Sequence, residues 1–118
     1  MENIMLLRDG TYLVHFESNY QVAGSGLIQV RGSTFSGGDG GYRYRGVLRR
    51  HGGILSGIAD VHRVDPNAVS IFGAIGFFKM QITGRATGGQ YHFSGCVLGL
   101  EHLRLRFRLI SATAFAAE

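Results

Sequence analysis

Residues 100–110 read LEHLRLRFRLI, and between positions 103 and 109 apolar and basic side chains alternate. Successive side chains of an extended strand point to opposite faces, so one face collects Leu103, Leu105, Phe107 and Leu109. The other face collects Arg104, Arg106 and Arg108. This alternation predicts a β-strand of an antiparallel sheet that packs one side on a core and turns the other to water.

Seven further segments show alternation or runs of β-branched and aromatic residues, and short turns separate them. The chain has 19 glycines in 118 residues, more than twice the usual share of about 7%. Glycines between and inside such runs are typical of tight turns, bulges and barrel corners. The eight predicted strands are Thr11–Glu17, Val22–Arg31, Thr34–Ser36, Tyr42–Arg50, Ile54–Val64, Ile75–Thr87, Gln90–Val97 and Leu100–Ile110.

Eight strands joined by short links predict one all-β domain over residues 1–118. An up-and-down antiparallel barrel is favoured over a sandwich, because barrel closure leaves no exposed strand edge. Residues 37–41 read GGDGG and predict a loop. Asp65 and Pro66 predict the start of one short helix that extends to about Phe72, because these residues suit the N-cap and the first helical position. The alanine-rich residues 111–118 predict a short helix or a frayed tail.

The inward faces of the predicted strands give a set of candidate barrel-lining residues. Phe77 and Phe78 are consecutive, so only one can point inward. The other needs cover from residues 65–72, from the tail or from a second copy of the chain, and the sequence leaves these alternatives open. A barrel of this size is either filled by its own side chains or holds one small ligand. The predicted lining residues are Tyr12, Val14, Phe16, Tyr44, Phe78, Met80, Leu105 and Phe107.

The residue types that carry catalysis or bind metals do not form a recognisable pattern. Gly24-Ser25-Gly26 lacks the third glycine of a dinucleotide fingerprint, and GGDGG is not followed by Lys-Ser or Lys-Thr. The five histidines fall on different predicted elements, and Cys96 lies in an apolar strand segment. We therefore expect no catalytic residue, no metal site and no cofactor, and we predict that the protein is not an enzyme.

The net charge is +4 and the basic side chains are nearly all arginine. Two strand faces carry arginine rows, one at Arg43, Arg45 and Arg49 and one at residues 104–108. These rows could bind phosphate or an acidic partner, but a soluble coat is favoured because no aromatic residues interleave with them. We expect no direct nucleic-acid contact. A single cysteine, and no apolar run suited to a membrane span or a signal peptide, predict a cytoplasmic protein without membrane contact.

A series of residues between positions 9 and 48 resembles the GrlR-like family, negative regulators of type III secretion gene loci in enteric pathogens. The series reads Asp9-Gly10-Thr11-Tyr12, Phe16, Ser18-Asn19, Gly24-x-Gly26, Gly32, Gly37-Gly38-Asp39 and Tyr44-x-Gly46-Val47-Leu48, with a weaker echo at Val61-His62-Arg63. The resemblance implies a lipocalin-like barrel, a homodimer and repression by sequestering a helix-turn-helix transcription activator. It also implies an apolar interior suited to a lipid-like ligand.

One loop departs from the family pattern. The family carries acidic residues after the Val-Leu strand, and they are tied to activator binding, whereas this chain has Arg49-Arg50-His51-Gly52-Gly53. A basic loop would repel a basic DNA-binding partner, so the activator contact does not transfer to any residue here. We predict Arg49, Arg50 and His51 as the contact surface for a different protein partner. The leading hypothesis is a regulatory protein that captures this partner; the alternative is a carrier of a small apolar ligand.

Overall fold

The computed structural model describes residues 7–70, 72, 75–87 and 90–112. These residues form eight strands, each paired antiparallel with the next, and β1 also pairs with β8. The sheet therefore closes on itself, which confirms the predicted all-β antiparallel up-and-down barrel. The strands are β1 (Gly10–Ser18), β2 (Ala23–Arg31), β3 (Thr34–Gly38), β4 (Tyr42–His51), β5 (Ile54–Arg63), β6 (Phe77–Thr87), β7 (Gln90–Val97) and β8 (Leu100–Ser111).

The alternation of β8 places its side chains as the sequence predicts. Leu103 and Leu109 are buried, and the three arginines between residues 104 and 108 are exposed. The inner faces of all eight strands together form one apolar core, which includes Ile28, Met80 and Val97. Burial of these side chains is the main driving force for closing the sheet, at about 25 cal/mol per Å² of apolar surface removed from water.

The seam between β1 and β8 closes the barrel. Val14 lies opposite Gly26 on one side and Leu109 on the other. Beyond the last strand pair, the amide of Asn19 donates to the carbonyl of Arg104 at 2.9 Å. The Asn19 side chain accepts from the Arg104 amide at 3.0 Å and donates to the carbonyl of His102 at 3.2 Å. Asn19 thus continues the β1–β8 hydrogen-bond ladder beyond the end of β1. It satisfies backbone groups that would otherwise lack hydrogen-bond partners at the turn.

Three inward phenylalanines sit over glycines of the neighbouring strand. The register places Phe16 opposite Gly24, Phe35 opposite Gly46 and Phe93 opposite Gly84. A methyl group built on Gly24 would stand 2.6 Å from Cε1 of Phe16. The glycines therefore make room for aromatic rings in the curved wall, which is the role that glycine has in designed barrels.

Gly37 and Gly38, predicted as part of a loop, instead extend β3. Gly37 lies opposite Ile28 of β2 and Tyr44 of β4. A Cβ atom on Gly37 would overlap the carbonyl oxygen of Leu27, so glycine allows the strand backbones to approach closely. The loop is thereby reduced to Asp39, Gly40 and Gly41.

The predicted short helix at residues 65–72 is wrong over the part that is described. Asp65 caps a single turn: its side chain accepts from the Asn67 amide at 2.9 Å, and its carbonyl accepts from Ala68 at 3.0 Å. No helix continues through residues 69 and 70. The amides of Val64 and Asp65 donate instead to the Gly41 carbonyl, at 2.9 and 3.3 Å, so contacts with the barrel outweigh the weak stability of a short helix.

Two further predictions concern chain segments at the edge of the described residues. Ser111 belongs to β8, since it pairs with Tyr12, and the predicted helical or frayed tail therefore starts later than residue 111. Residues 113–118 lie outside the described part of the chain. The predicted Gly88-Gly89 turn also lies outside it, although the flanking residues Thr87 and Gln90 pair with each other.

Candidate functional site

The barrel encloses a cavity of about 360 Å³. It runs from the middle of the core to the barrel end that carries the β1–β2, β3–β4 and β5–β6 connections, which we call the open end. The volume is at the small end of the roughly 300–1,000 Å³ typical of ligand pockets. The lining residues are Val14, Phe16, Val22, Ala23, Gly24, Ser25, Ile28, Phe35, Asp39, Gly41, Tyr42, Tyr44, Leu48, Ala59, Val61, Val69, Ser70, Phe78, Met80, Ile82, Phe93, Leu105, Phe107 and Leu109.

The deep part of the cavity is apolar. Phe93 and Phe107 stack with ring centroids 4.8 Å apart and planes 2° from parallel, and they form one wall. Ile82 and Leu109 are buried beside them. A surface of this kind gains free energy from contact with an apolar molecule, because that contact removes it from water.

Seven of the eight residues predicted to line the barrel contact the cavity: Val14, Phe16, Tyr44, Phe78, Met80, Leu105 and Phe107. Tyr12 does not. It is buried at the opposite end, where its ring packs edge-on against Tyr91 at 6.2 Å and its hydroxyl donates to the Arg8 carbonyl at 2.7 Å. Burial beside Tyr91 raises the pKa of the Tyr12 hydroxyl. Tyr12 therefore plugs the barrel rather than lining the cavity.

Polar side chains of the lining lie near the open end, and Asp39 is the chief one. Its Oδ1 accepts from the amides of Gly41 and Tyr42, both at 2.9 Å, and its Oδ2 accepts from the Tyr44 hydroxyl. The first two bonds form an Asx turn that reverses the chain between β3 and β4. Asp39 thus shapes the turn and at the same time places a carboxylate at the cavity mouth.

Tyr44 connects this carboxylate to the apolar wall. Its ring meets Phe16 edge-on at 6.4 Å between centroids. Burial of Tyr44 raises its pKa far above the ordinary value, and the hydrogen bond to the Asp39 carboxylate raises it further. The hydroxyl therefore keeps its proton, which it donates to Asp39. Its oxygen can still accept a hydrogen bond from another group.

The β5–β6 connection contributes the other side of the mouth. Val69 and Ser70 line the cavity, and Phe72 packs edge-on against Phe78 at 5.8 Å. The Tyr42 hydroxyl donates to the carbonyl of Ile75 at 2.8 Å, which fixes the far end of the connection to β4. The mouth is therefore built from two connections that are joined to each other and to the barrel wall.

The sequence does not predict the polar groups of the mouth. It predicts a loop at Asp39 and assigns no function to Ser25 or Ser70. The signal that could have identified Asp39 is its place between glycine pairs, because aspartate favours turns through side-chain bonds to the backbone two residues on. That signal predicts the turn, but the approach of the β5–β6 connection depends on tertiary contacts.

The predicted partner surface lies on the β4–β5 hairpin, at the barrel end opposite the open end. Arg49 and His51 are exposed, while Arg50 is half-buried and its Nη1 donates to the Gly52 carbonyl at 3.3 Å. The structure thus brings two of the three residues, Arg49 and His51, to one outer face. Three exposed aliphatic side chains share this face, namely Val47, Ile54 and Ile58.

Both arginine rows are on the outside of the barrel and are exposed at Arg43, Arg45, Arg49, Arg104, Arg106 and Arg108. Phe77 is also outward and 56% exposed, with the Lys79 ammonium 5.8 Å from its ring centre. Of its three predicted covers, the described part of residues 65–72 leaves Phe77 exposed, because Phe72 packs on the inward Phe78 instead. Residues 113–118 of the tail, the second predicted cover, lie outside the described part of the chain. Cover by a second copy stays a prediction.

The described residues contain no group of three or more histidine, cysteine, aspartate or glutamate side chains that could hold a metal ion. Within the same residues, no helix has the length and apolar character required to cross a bilayer. The chain matches no protein-family model, and no curated protein is significantly similar to it. The resemblance to the GrlR-like family therefore stays a prediction.

Proposed function

We propose that this protein binds one small apolar molecule inside its barrel. The observation that carries the proposal is the cavity of about 360 Å³, whose deep wall is apolar and whose polar side chains lie near its open end. An empty cavity in a core lowers stability, because the side chains that line it lose contacts. Occupation by an apolar molecule restores those contacts.

The size of the cavity limits the ligand. Its volume, 360 Å³, corresponds to about twelve water molecules at roughly 30 Å³ each. A molecule with on the order of ten to twenty non-hydrogen atoms is therefore the expected occupant. Each methylene group buried in the deep part contributes about 0.8 kcal/mol, so a ten-carbon chain contributes about 8 kcal/mol, from which the cost of association is subtracted.

A neutral fluorescent probe, N-phenyl-1-naphthylamine, tests the proposal by titration into the purified protein. We expect saturable binding at one probe per barrel. Ala59 is buried and lines the cavity, so Ala59→Leu fills part of the volume and should weaken binding by about fivefold or more. Ala86→Leu makes the same change at an exposed position outside the cavity and should leave binding unaltered. Absence of saturable binding, or equal binding by all three proteins, would contradict the proposal.

A second candidate function is capture of a protein partner by the outer face of the β4–β5 hairpin. Its support is the combination of exposed Val47, Ile54 and Ile58 with Arg49 and His51, because an exposed apolar patch rimmed by polar residues marks an interaction site and arginine is enriched in interfaces. Stoichiometric capture by a dimer would match the mode of action that the resemblance to GrlR-like regulators implies. The partner itself would be acidic at its contact surface.

An affinity capture from the source organism, analysed by mass spectrometry, tests this second candidate. We expect a protein that is retained by the wild type and lost with Arg49→Glu plus Arg50→Glu. The matched control is Arg104→Glu plus Arg106→Glu, which reverses the same number of charges on another face of the barrel. Thermal unfolding checks that the hairpin variant folds. Equal recovery of the partner protein by the wild type and both variants would show that the hairpin does not bind it.

A further inference from the structure

The described residues that line the cavity carry charge of one sign. Among the described lining residues, Asp39 carries the one ionisable carboxylate, and neither arginine, lysine nor histidine contributes to the wall. Within the described part of the chain, three donors bond to this carboxylate, namely two backbone amides and the Tyr44 hydroxyl, all of them neutral. Neutral donors stabilise the carboxylate without cancelling its charge, so a negative potential persists at the mouth.

We propose that the cavity selects molecules whose head group is a neutral or cationic hydrogen-bond donor and rejects carboxylates with the same apolar chain. This inference rests on the proposed ligand-binding function and adds the chemical class of the ligand. The head group lies at the open end beside Asp39 and Tyr44, and the chain extends toward the stacked rings of Phe93 and Phe107.

The hydrogen-bonding capacity of the mouth gives the first reason. Asp39 accepts bonds only, and the Tyr44 hydroxyl proton is already donated to it. An ammonium or hydroxyl group therefore finds acceptors in place, and an ammonium gains a charge-assisted bond.

The cost of desolvation gives the second reason. A carboxylate ligand would leave water for a site next to a like charge, with no cation in the wall to compensate it. Burying an uncompensated charge is among the most expensive changes in protein energetics. The whole protein, in contrast, carries a net charge of +4 and attracts anions from a distance. Preference for a cation over an anion would therefore identify the local field of Asp39 rather than the net charge.

Three probes with a common ten-carbon chain test the inference: decylammonium, 1-decanol and decanoate, each used to displace N-phenyl-1-naphthylamine at pH 7. We expect decylammonium and decanol to bind about tenfold or more tightly than decanoate, the size of effect that one charged hydrogen bond supplies. Asp39→Asn keeps the oxygen that forms the turn but removes the charge. In this variant the affinity for decylammonium should exceed the affinity for decanoate by about threefold or less, and the affinity for decanol should be nearly unchanged.

The matched control is Asp65→Asn. Asp65 is exposed and also forms a turn by accepting from an amide two residues on, at 2.9 Å, but it does not line the cavity. This variant also removes one negative charge, and it should keep the wild-type ratio of decylammonium affinity to decanoate affinity. If Asp39→Asn fails to fold, Val69→Lys supplies an independent test, because Val69 is 68% exposed at the mouth and can carry an ammonium without disturbing the barrel. It should shift the preference toward decanoate, whereas Val64→Lys, outside the cavity, should not.

The outcomes separate this inference from the function on which it rests. If decanoate binds as tightly as the other two probes, or if Asp39→Asn leaves the ratio unchanged, the selectivity is overturned while the ligand-binding function stands. If neither decanol nor the neutral fluorescent probe binds, both are overturned.

Discussion

Gly84 of β6 and Phe93 of β7 lie directly opposite each other on the inner face, and a methyl group on Gly84 would stand 2.5 Å from Cγ of the Phe93 ring. Such a distance is far inside the contact distance of about 3.5–4.0 Å between carbon atoms. The ring therefore fills the space that the missing side chain leaves, and both residues are buried. The same relationship holds at two other places in the wall, so aromatic rings over glycines are a regular device of this barrel.

Gly84→Ala should consequently destabilise the protein. The added methyl group also overlaps the backbone carbonyl oxygen of His92, and the Phe93 ring cannot turn away without losing its stacking contact with Phe107. We expect a loss of about 1–3 kcal/mol in the free energy of unfolding, the usual cost of overpacking a core. Urea denaturation gives this value. Gly40→Ala is the control, since a methyl group there meets nothing within 4 Å, and a similar loss in both variants would contradict the argument.

The sequence predicts the barrel because alternation is a local property of each strand. The apolar positions of β8 and the turn at Gly99, which has a φ of 88°, follow directly from residue types. The cavity mouth does not follow from them. Gly37 and Gly38 resemble a loop until the close approach of β2 is known, and Asp65 resembles a helix start until Gly41 accepts its amide. Partners far apart in sequence determine both, and a single sequence does not contain their positions.

The raised pKa of Tyr44 predicts how stability depends on alkaline pH. The unfolded chain loses this proton near the ordinary tyrosine pKa of about 10, whereas burial and the Asp39 carboxylate hold it in the folded protein. Above pH 10 the folded state then binds more protons than the unfolded state. The contribution of Tyr44 to stability is therefore fully present below pH 10 and decreases as the pH rises above it. The slope that Tyr44 contributes approaches about 1.4 kcal/mol per pH unit.

Tyr44→Phe removes that slope. Urea unfolding between pH 9 and 11 should show a smaller decrease in stability for this variant than for the wild type. The same hydroxyl is removed from an exposed side chain in Tyr20→Phe, which serves as the control. Parallel pH curves for the wild type and Tyr44→Phe would show that the hydroxyl is not held as the structure indicates.

Ser18 should contribute more to stability than its size suggests. It is a buried polar residue, and its hydroxyl oxygen accepts from the amides of Tyr20 and Val22 at 3.2 and 3.3 Å. Ser18→Ala leaves both amides without this acceptor, and the expected cost is about 1–2 kcal/mol in the free energy of unfolding. Ser94→Ala, at an exposed position of β7, should change it by less than about 0.5 kcal/mol. Chemical denaturation of the two variants side by side makes the comparison.

Asn19 is expected to hold the barrel seam closed at the open end. Its side chain accepts from the Arg104 amide and donates to the His102 carbonyl, and both groups belong to β8. In Asn19→Ala the Arg104 amide loses its acceptor, so its hydrogen exchange should accelerate about tenfold, which corresponds to roughly 1.4 kcal/mol of local opening free energy.

Asn19→Asp separates the two bonds, because aspartate still accepts from Arg104 but no longer donates to His102. We expect this variant to keep most of the protection at the Arg104 amide. Gln29→Ala is a control for loss of an exposed side-chain amide, since among the described residues the Gln29 side chain bonds only to the Thr11 hydroxyl, at 3.4 Å. If Asn19→Ala exchanges at the wild-type rate, the backbone bond from Asn19 to Arg104 alone is sufficient to close the seam, and the side chain is not needed.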